Sequence, residues 1–285
     1  MTELVNESSL LRMAAEKMDE GNRGEPVLEA VGLGHEYPTR GSSVIALQDV
    51  NLTIREGDFV TIVGPSGCGK STLASMFAGL VKPTSGQALY KGKPIEGPSS
   101  ERGMVFQELA VLPWRTVEDN IGHGLEIAGV PKEERRRRVA ALIKLIGLEG
   151  FETKYPRELS GGMRQRVAVA RTWAPEPPVI LMDEPFAAVD AITRLTLQEE
   201  LIRLAKTTRR TVVFITHSVD EAVFLGDYVV AMTNRPGRVL ETVQVNHPAG
   251  ERTWESMATD QRLQEIVSHV FELVRGRHEA GKQGH

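Results

Sequence analysis

A glycine-rich stretch at residues 64–72 carries the residue types that hold phosphate. It reads Gly64-Pro65-Ser66-Gly67-Cys68-Gly69-Lys70-Ser71-Thr72 and fits the spacing G-x-x-x-x-G-K-[ST]. Glycines let successive backbone N–H groups point inward at an anion, and a helix that begins near Lys70 adds the positive end of its dipole. Lys70 can then reach the terminal phosphates of a nucleoside triphosphate, and the Ser71 hydroxyl can bind Mg²⁺. The stretch therefore predicts a site for ATP and Mg²⁺. Within it we expect Cys68, the only cysteine, to be a small packing residue, with a redox role as the alternative.

Two adjacent carboxylates form a second group with chemical potential. Asp183 and Glu184 directly follow the apolar run Val179–Met182, which is typical of a buried strand. Ligands collect at the tips of such strands in parallel α/β sheets. Because side chains alternate along a strand, the two carboxylates point in different directions and can take different roles. We expect Asp183 to hold Mg²⁺ and Glu184 to act as general base on the attacking water.

The surrounding elements must position these two groups. A compact strand at Phe59–Val63 precedes the glycine loop, a helix at Lys70–Leu80 follows it, and Thr211–Thr216 is a third buried strand. Runs between Val27 and Ile54 predict antiparallel strands, and residues from about 103 to 173 favour helices. One of these helices has a single apolar face, with a plausible stop at Gly147. The face consists of Val139, Leu142, Ile143 and Ile146. We therefore predict an α/β fold: a parallel-sheet core that carries the phosphate loop, an N-terminal antiparallel β-subdomain and a helical subdomain.

One octapeptide resembles the signature motif of the ABC (ATP-binding cassette) ATPases. It is Leu159-Ser160-Gly161-Gly162-Met163-Arg164-Gln165-Arg166. Ser160 is a good N-cap, and a helix start of this kind is itself an anion site. The resemblance implies a head-to-tail dimer of two copies, in which Ser160, Gly161 and Gly162 contact the ATP that the other copy's glycine loop holds.

The remaining motifs of the family follow in the expected order, over roughly Pro26 to Val245. The resemblance implies that Tyr37 stacks on adenine and that Gln107 senses Mg²⁺ and the attacking water. The resemblance also implies that Asp190 lies at the dimer interface and that His217 contacts the γ-phosphate. With Lys70 and Glu184, the side chains Gln107 and His217 complete the predicted catalytic set. Met163, Ala187 and Val189 depart from the commoner residues of the family, and none of them is assigned to the chemistry.

The length of the helical subdomain points to a class of ABC protein. Only 52 residues separate Gln107 from Ser160, which leaves no room for the long insertions of DNA-repair relatives. The segment Leu112–Asn120, together with Pro185–Ala188, resembles the nitrate/sulfonate/taurine importer group. Trp114, within that segment, is either a permease contact or a buried core aromatic. The resemblance implies two transmembrane permease subunits as partners, and indirectly a secreted substrate-binding protein.

Composition sets the remaining expectations. The chain has 285 residues, a net charge of −4 and a pI near 6.0, which argues against a nucleic-acid partner. It contains no apolar run long enough to span a bilayer, and one cysteine fits a reducing compartment. These features predict a protein that stays in the cytoplasm. Together with the permease partners, the resemblance to bacterial importer ATPases implies a peripheral protein on the cytoplasmic side of the inner membrane. The alternative function is a non-transport cassette that acts as an ATP-driven clamp on a soluble complex or nucleic acid.

The expected division of the chain has three parts. Residues 1–25 form a polar tail, with a short helix as the alternative, and residues 26–250 form the ATPase domain. Residues 251–285 form a C-terminal helical extension, in which an apolar stripe beginning at Leu263 packs against the chain's own body.

Overall fold

The computed structural model describes residues 24–39, 41–107, 110–247 and 249–275. The predicted N-terminal tail therefore lies outside the described residues, apart from Gly24 and Glu25. The strands are β1 (Pro26–Thr39), β2 (Ser42–Arg55), β3 (Phe59–Val63), β4 (Ser85–Tyr90), β5 (Lys93–Pro94), β6 (Arg102–Val105), β7 (Val179–Asp183), β8 (Thr211–Thr216), β9 (Tyr228–Met232) and β10 (Val239–Gln244). The helices are α1 (Lys70–Ala78), α2 (Val117–Ile127), α3 (Lys132–Leu145), α4 (Gly161–Trp173), α5 (Ala191–Thr208), α6 (Val219–Leu225), α7 (Trp254–Thr259) and α8 (Gln261–Arg275).

A six-stranded sheet forms the core, in the order β10-β9-β3-β8-β7-β6. The pairs β9–β3, β3–β8, β8–β7 and β7–β6 are parallel, and β10 adds an antiparallel edge. Every residue of β3, β7 and β8 is buried, which explains why these strands read as unbroken apolar runs. Their carboxyl ends meet at one edge of the sheet, where the chain leaves toward Gly64, Glu184 and His217.

A separate four-stranded antiparallel sheet, in the order β2-β1-β4-β5, covers one side of α1. In the second half of β2, Val50, Leu52 and Ile54 are buried while Asn51 and Thr53 are exposed. This alternation is that of a sheet with one face on the core and one in solvent. The predicted antiparallel N-terminal subdomain is thus present.

Helices α2, α3 and α4 pack around a small core of their own, which includes Ile121, Val139 and Val167. The predicted stripe on α3 is correct, and the chain turns at Gly147, which has a φ of 61°. The expected start of the helical subdomain near Gly103 is wrong, because Arg102–Val105 form the edge strand β6 and pair with β7. Four residues with a central glycine carry too little strand pattern to be recognised from the sequence.

The C-terminal helices pack against the body of the protein, as the apolar stripe predicted. Leu263 and Val270 of α8 are fully buried, and Trp254 at the start of α7 stacks on Phe224 of α6 at 4.2 Å. In the described part of the chain, no helix combines the length and apolar character required to span a membrane. The fold class predicted from the sequence is confirmed.

Candidate functional site

The glycine loop connects β3 to α1 in a conformation that only glycine adopts easily at two positions. Gly67 and Gly69 have φ values of 73° and 102°. Lys70 is buried, and its Nζ donates to the carbonyl oxygens of Gly64 (2.8 Å) and Pro65 (3.0 Å). In the described part of the chain no salt bridge to Lys70 is found, and the hydrogen-bond partners of this buried cation are two backbone carbonyl oxygens and the Cys68 sulfur. The loop can therefore accept an anion beside Lys70.

Cys68 contributes backbone to the loop and not a reactive thiol. Its side chain is 1% exposed. A Cβ built on Gly64 would lie 3.0 Å from the Cys68 Sγ and 3.1 Å from the Met232 Cβ, so the sulfur fills the space behind the loop. Burial raises the pKa of this thiol, and the Lys70 charge acts in the opposite direction. The structure therefore fits a packing role for Cys68.

Asp183 ends β7 with a carboxylate oxygen, Oδ1, that is buried and has no hydrogen-bond partner among the described residues. Ser71, at the start of α1, lies close enough to this carboxylate to influence its pKa. Burial raises the pKa of Asp183 and the Glu184 charge raises it further, whereas the Ser71 hydroxyl and the Lys70 charge lower it. A hydroxyl and a carboxylate that share one side of a phosphate loop are hard oxygen donors of the kind that Mg²⁺ prefers.

Glu184 and His217 approach each other at the ends of neighbouring strands. His217 Nδ1 lies 3.5 Å from Glu184 Oε2, and the His217 side chain is 65% exposed. Glu184 has a φ of 46°, in the left-handed region that non-glycine residues rarely occupy. Its N–H donates to the carbonyl oxygen of Ile215 at 3.1 Å. The turn after β7 thus directs Glu184 away from Asp183 and toward His217.

Tyr37 and Gln107 reach the same edge of the sheet from different elements. Tyr37, near the end of β1, is 40% exposed, and its hydroxyl lies 3.2 Å from the Thr72 Oγ1 of α1. Its ring stands edge-on to His35 with a centroid distance of 4.4 Å. Gln107 is exposed and follows β6, whose Val105 pairs with Met182 beside Asp183. The topology therefore places Gln107 next to the carboxylate pair.

The signature turn lies against the segment 187–190 and not against the chain's own glycine loop. Ser160 caps α4 by accepting a hydrogen bond from the Met163 N–H at 3.2 Å. A Cβ on Gly162 would lie 3.2 Å from the Ala188 carbonyl oxygen. Asp190 is exposed and caps α5 by accepting from the Thr193 N–H at 3.0 Å, which lowers the pKa of Asp190. This turn and Asp190 thus share one surface.

Sequence reasoning missed three residues that support this site. Gln165 is buried in α4 and hydrogen-bonds to the backbone of Glu184 and Ala188. Glu221 is half-buried in α6 and accepts hydrogen bonds from Thr216 and Gln198. Gly237 packs on the back of the glycine loop. Apart from the bond between Thr216 and Glu221, these contacts join residues that are far apart in the sequence, so no spacing pattern indicates them.

The residues present fit ATP with Mg²⁺. The loop offers a buried cation without a salt-bridge partner among the described residues, and the carboxylate of Asp183 lies close enough to feel its charge. The parallel sheet, the glycine loop and the separate helical subdomain together define a P-loop ATPase with an inserted signature helix.

Comparison with known proteins identifies the family within this class of P-loop ATPases. The family model described as ABC transporter matches residues 47–187. An uncharacterised ABC transporter ATP-binding protein of Methanocaldococcus jannaschii is 51% identical over 77% of this chain and 82% of its own length. The taurine import ATP-binding protein TauB of Escherichia coli K12 is 43% identical over 84% of this chain and 96% of its own length.

Comparison with solved structures gives the same family as the sequence comparison. The dimeric, post-hydrolysis ATP-binding cassette MJ0796 with ADP and Pi has a TM-score of 0.71 at 32% identity, over 77% of this chain and 99% of that one. CbiO1 of Clostridium perfringens, part of the transporter complex CbiONQ, has a TM-score of 0.68 at 29% identity, over 87% of this chain and 99% of that one. The chain belongs to the ABC transporter family, as an ATP-binding and ATP-hydrolysing subunit. The resemblance seen in the sequence is thereby confirmed.

Proposed function

We propose that this ATPase powers a bacterial importer for a small anion such as nitrate, a sulfonate or taurine. The chain works as two copies on the cytoplasmic face of the cell membrane, bound to two separate permease subunits. A secreted binding protein delivers the cargo on the other side. Similarity to the taurine import protein over nearly its full length supports the importer assignment. The division into a tail, an ATPase domain at 26–250 and a C-terminal extension is part of this proposal.

The observation that carries the proposed chemistry is the Oδ1 atom of Asp183, which is buried and has no hydrogen-bond partner among the described residues. Ser71 lies near the same carboxylate and influences its pKa. An unpaired buried carboxylate oxygen is costly, and a divalent cation would satisfy it. Ser71, Asp183 and Gln107 would hold Mg²⁺, which when bound supplies charge to neutralise the β- and γ-phosphate oxygens. Lys70 and the loop amides bind the phosphates, and Tyr37 stacks on the adenine.

Glu184 acts as the general base in this scheme. Its left-handed backbone aims the carboxylate toward His217, whose ring is open to solvent. The carboxylate orients a water and accepts its proton, and His217 holds the far side of the γ-phosphate. A positioned base typically contributes about 100- to 10,000-fold in rate.

The second half of each site comes from the other copy. Ser160 and Gly162 present a helix N-terminus at the surface, and Ser160 is itself exposed. Exposed helix amides bind anions, and the chain's own phosphate loop lies elsewhere. The signature turn of one copy therefore contacts the ATP bound by the other copy, and Asp190 lies at the interface between the two copies.

The permease docks on the helical subdomain. A groove of about 820 Å³ runs between this subdomain and β6, and Phe106, His123, Ile127 and Arg171 are among its lining residues. Ile127 is 75% exposed and Trp114 is 71% exposed. The structure thus excludes the alternative that Trp114 is a buried core aromatic. Exposed side chains that line a groove, here Phe106 and Ile127, are suited to receive a short helix of a partner.

Substitution of Glu184 by glutamine tests the catalytic part. Glu184→Gln keeps size and hydrogen bonding but cannot accept the proton, so we expect turnover to fall about 100- to 10,000-fold. ATP affinity should stay close to wild type, and the dimer should accumulate in sedimentation velocity with Mg-ATP. Glu199→Gln, on the exposed face of α5, is the matched control and should leave all three readouts unchanged.

Near wild-type hydrolysis by Glu184→Gln would exclude Glu184 as the base. The importer assignment is tested separately, by uptake of labelled taurine, nitrate and a sulfonate in cells that express the chain with its permease. Uptake of none of them, despite ATP hydrolysis by the assembled complex, would contradict the proposed cargo class.

A further inference from the structure

Gln165 connects the signature helix to the backbone of the proposed catalytic base. It lies in α4, five residues after Ser160, and its side chain is 2% exposed. Its Nε2 donates to the carbonyl oxygen of Glu184 at 3.2 Å. Its Oε1 accepts from the N–H of Ala188 at 2.9 Å. Both ends of one buried amide are therefore used to hold the turn between β7 and α5.

The held conformation of Glu184 is an unfavourable one. Its φ of 46° is tolerated by a non-glycine residue only when surrounding contacts determine it. Ile215 of β8 fixes the N–H of Glu184, and Gln165 fixes the carbonyl oxygen. Because these two bonds set the backbone of Glu184, they also set the direction in which its carboxylate leaves the chain.

The same helix touches the next part of the turn through its N-terminus. A Cβ on Gly162 would come within 3.2 Å of the Ala188 carbonyl oxygen, so this end of α4 has little freedom to slide over residues 188–189. Ala188 lies two residues before Asp190. A movement of the signature turn is therefore transmitted to residues 184–188 by one steric contact and by the two hydrogen bonds of Gln165.

We propose that Gln165 is a positioning residue for hydrolysis. It holds Glu184 in the left-handed conformation, and it makes the base of each copy respond to the signature helix of that copy. That helix contacts the ATP bound by the other copy, so Gln165 couples the two ATP sites of the dimer. The inference rests on the proposed function, in which Glu184 is the base and the signature turn binds across the dimer.

Gln165→Met tests this role, because methionine has a similar length and fills the buried site without the amide. We expect kcat of the full-length chain to fall about 10- to 100-fold, as for a catalytic group displaced by up to 1 Å, with KM for ATP within about twofold. Gln165→Glu keeps the acceptor for the Ala188 N–H but loses the donor to Glu184. It should lower kcat as well, and it provides a second variant if the methionine protein is insoluble.

A matched control separates positioning from helix stability. Thr172, also in α4, donates to the carbonyl oxygens of Met104 (3.3 Å) and Ala168 (3.1 Å) and has no contact with Glu184. Thr172→Val should lower the melting temperature to a similar extent and leave kcat unchanged. If Thr172→Val reduced kcat as much as Gln165→Met, the effect would belong to the helix as a whole and the inference would be wrong.

A double-mutant cycle gives the sharpest readout. If Gln165 acts through the carboxylate of Glu184, then adding Gln165→Met to Glu184→Gln should leave the residual rate unchanged within about twofold. Additive losses, or a wild-type kcat for Gln165→Met alone, would overturn the inference. A wild-type rate for Glu184→Gln alone would instead overturn the proposed function, so the two failures are distinguishable.

Discussion

The loop after β9 supports the phosphate-binding loop from behind, through Gly237. The Gly237 N–H donates to the Ala46 carbonyl oxygen at 2.9 Å, and its own carbonyl oxygen accepts from Gln48 at 3.0 Å. These bonds hold Gly237 against β2. A Cβ at this position would lie 1.9 Å from the Cys68 carbonyl oxygen. The φ of Gly237 is outside the left-handed region, so Gly237→Ala changes the close approach and not the backbone preference.

The size of the effect follows from this distance. A Cβ needs at least 3.0 Å from such an atom, so either the Cys68 carbonyl or the loop that carries Gly237 must move by about 1 Å. Overpacking of this kind costs about 1–3 kcal/mol of stability. Cys68 is followed by Gly69 and Lys70, which in the proposed site bind the phosphates through their N–H groups. A shift of about 1 Å in positioned groups can cost about 100-fold, so we expect Gly237→Ala to weaken ATP binding about 10- to 100-fold.

Titration calorimetry with Mg-ATP on the full-length chain measures this loss. Gly97→Ala is the matched control, because Gly97 also has an ordinary φ and a Cβ there would meet nothing within 4 Å. We expect its affinity to equal that of the wild type. If Gly237→Ala bound ATP as tightly as Gly97→Ala, the loop after β9 would yield to the extra methyl group, and the proposed support of the phosphate loop would be refuted.

Three further predictions concern docking, stability and pH. Trp114→Ala should leave the ATPase rate of the isolated chain unchanged but reduce co-purification with the permease, because Trp114 is 71% exposed. Arg252→Met should lower the free energy of unfolding in urea by about 3 kcal/mol, with Arg262→Met as the exposed control. Arg252 donates from its buried Nη1 to the carbonyl oxygens of Val223 (2.5 Å), Phe224 (2.9 Å) and Gly226 (2.7 Å), and burial lowers its pKa to about 10. Burial raises the pKa of Glu221 above its ordinary value of 4.5, against opposing effects of Thr216, Arg194, Gln198 and His217. The stabilisation that protonated Glu221 provides is therefore complete below about pH 4.5 and is lost as pH rises through the folded-state pKa. Glu221→Gln should flatten this part of the stability–pH curve, and an unchanged curve would contradict the assignment.

Local sequence alone predicted the phosphate loop and the strands that flank it. The requirements of this loop are contiguous: a buried strand, glycines at Gly67 and Gly69 where φ is positive, and a helix that begins at Lys70. The carboxylate pair can likewise be recognised from one apolar run that is followed by two acidic residues. Because backbone conformation depends mainly on nearby residues, such features are visible without a fold. The helical stripes of α3 and α8 were predicted for the same reason.

Other features depend on contacts between residues that are distant in the chain. The strand β6 was missed because its four residues are held by pairing with β7 and not by their own pattern. The exposure of Trp114 could not be decided from the sequence, since an aromatic residue serves a core or a docking surface equally well.

The amino-acid sequence by itself determined where ATP can bind and which residue types surround it. The tertiary structure decided how those residues are held: Gln165 on the carbonyl of Glu184, and Gly237 behind Cys68. These contacts join a side chain or an α-carbon to backbone carbonyls of residues far away in the sequence. A carbonyl oxygen is the same in every residue, so only packing in three dimensions selects which one is bound.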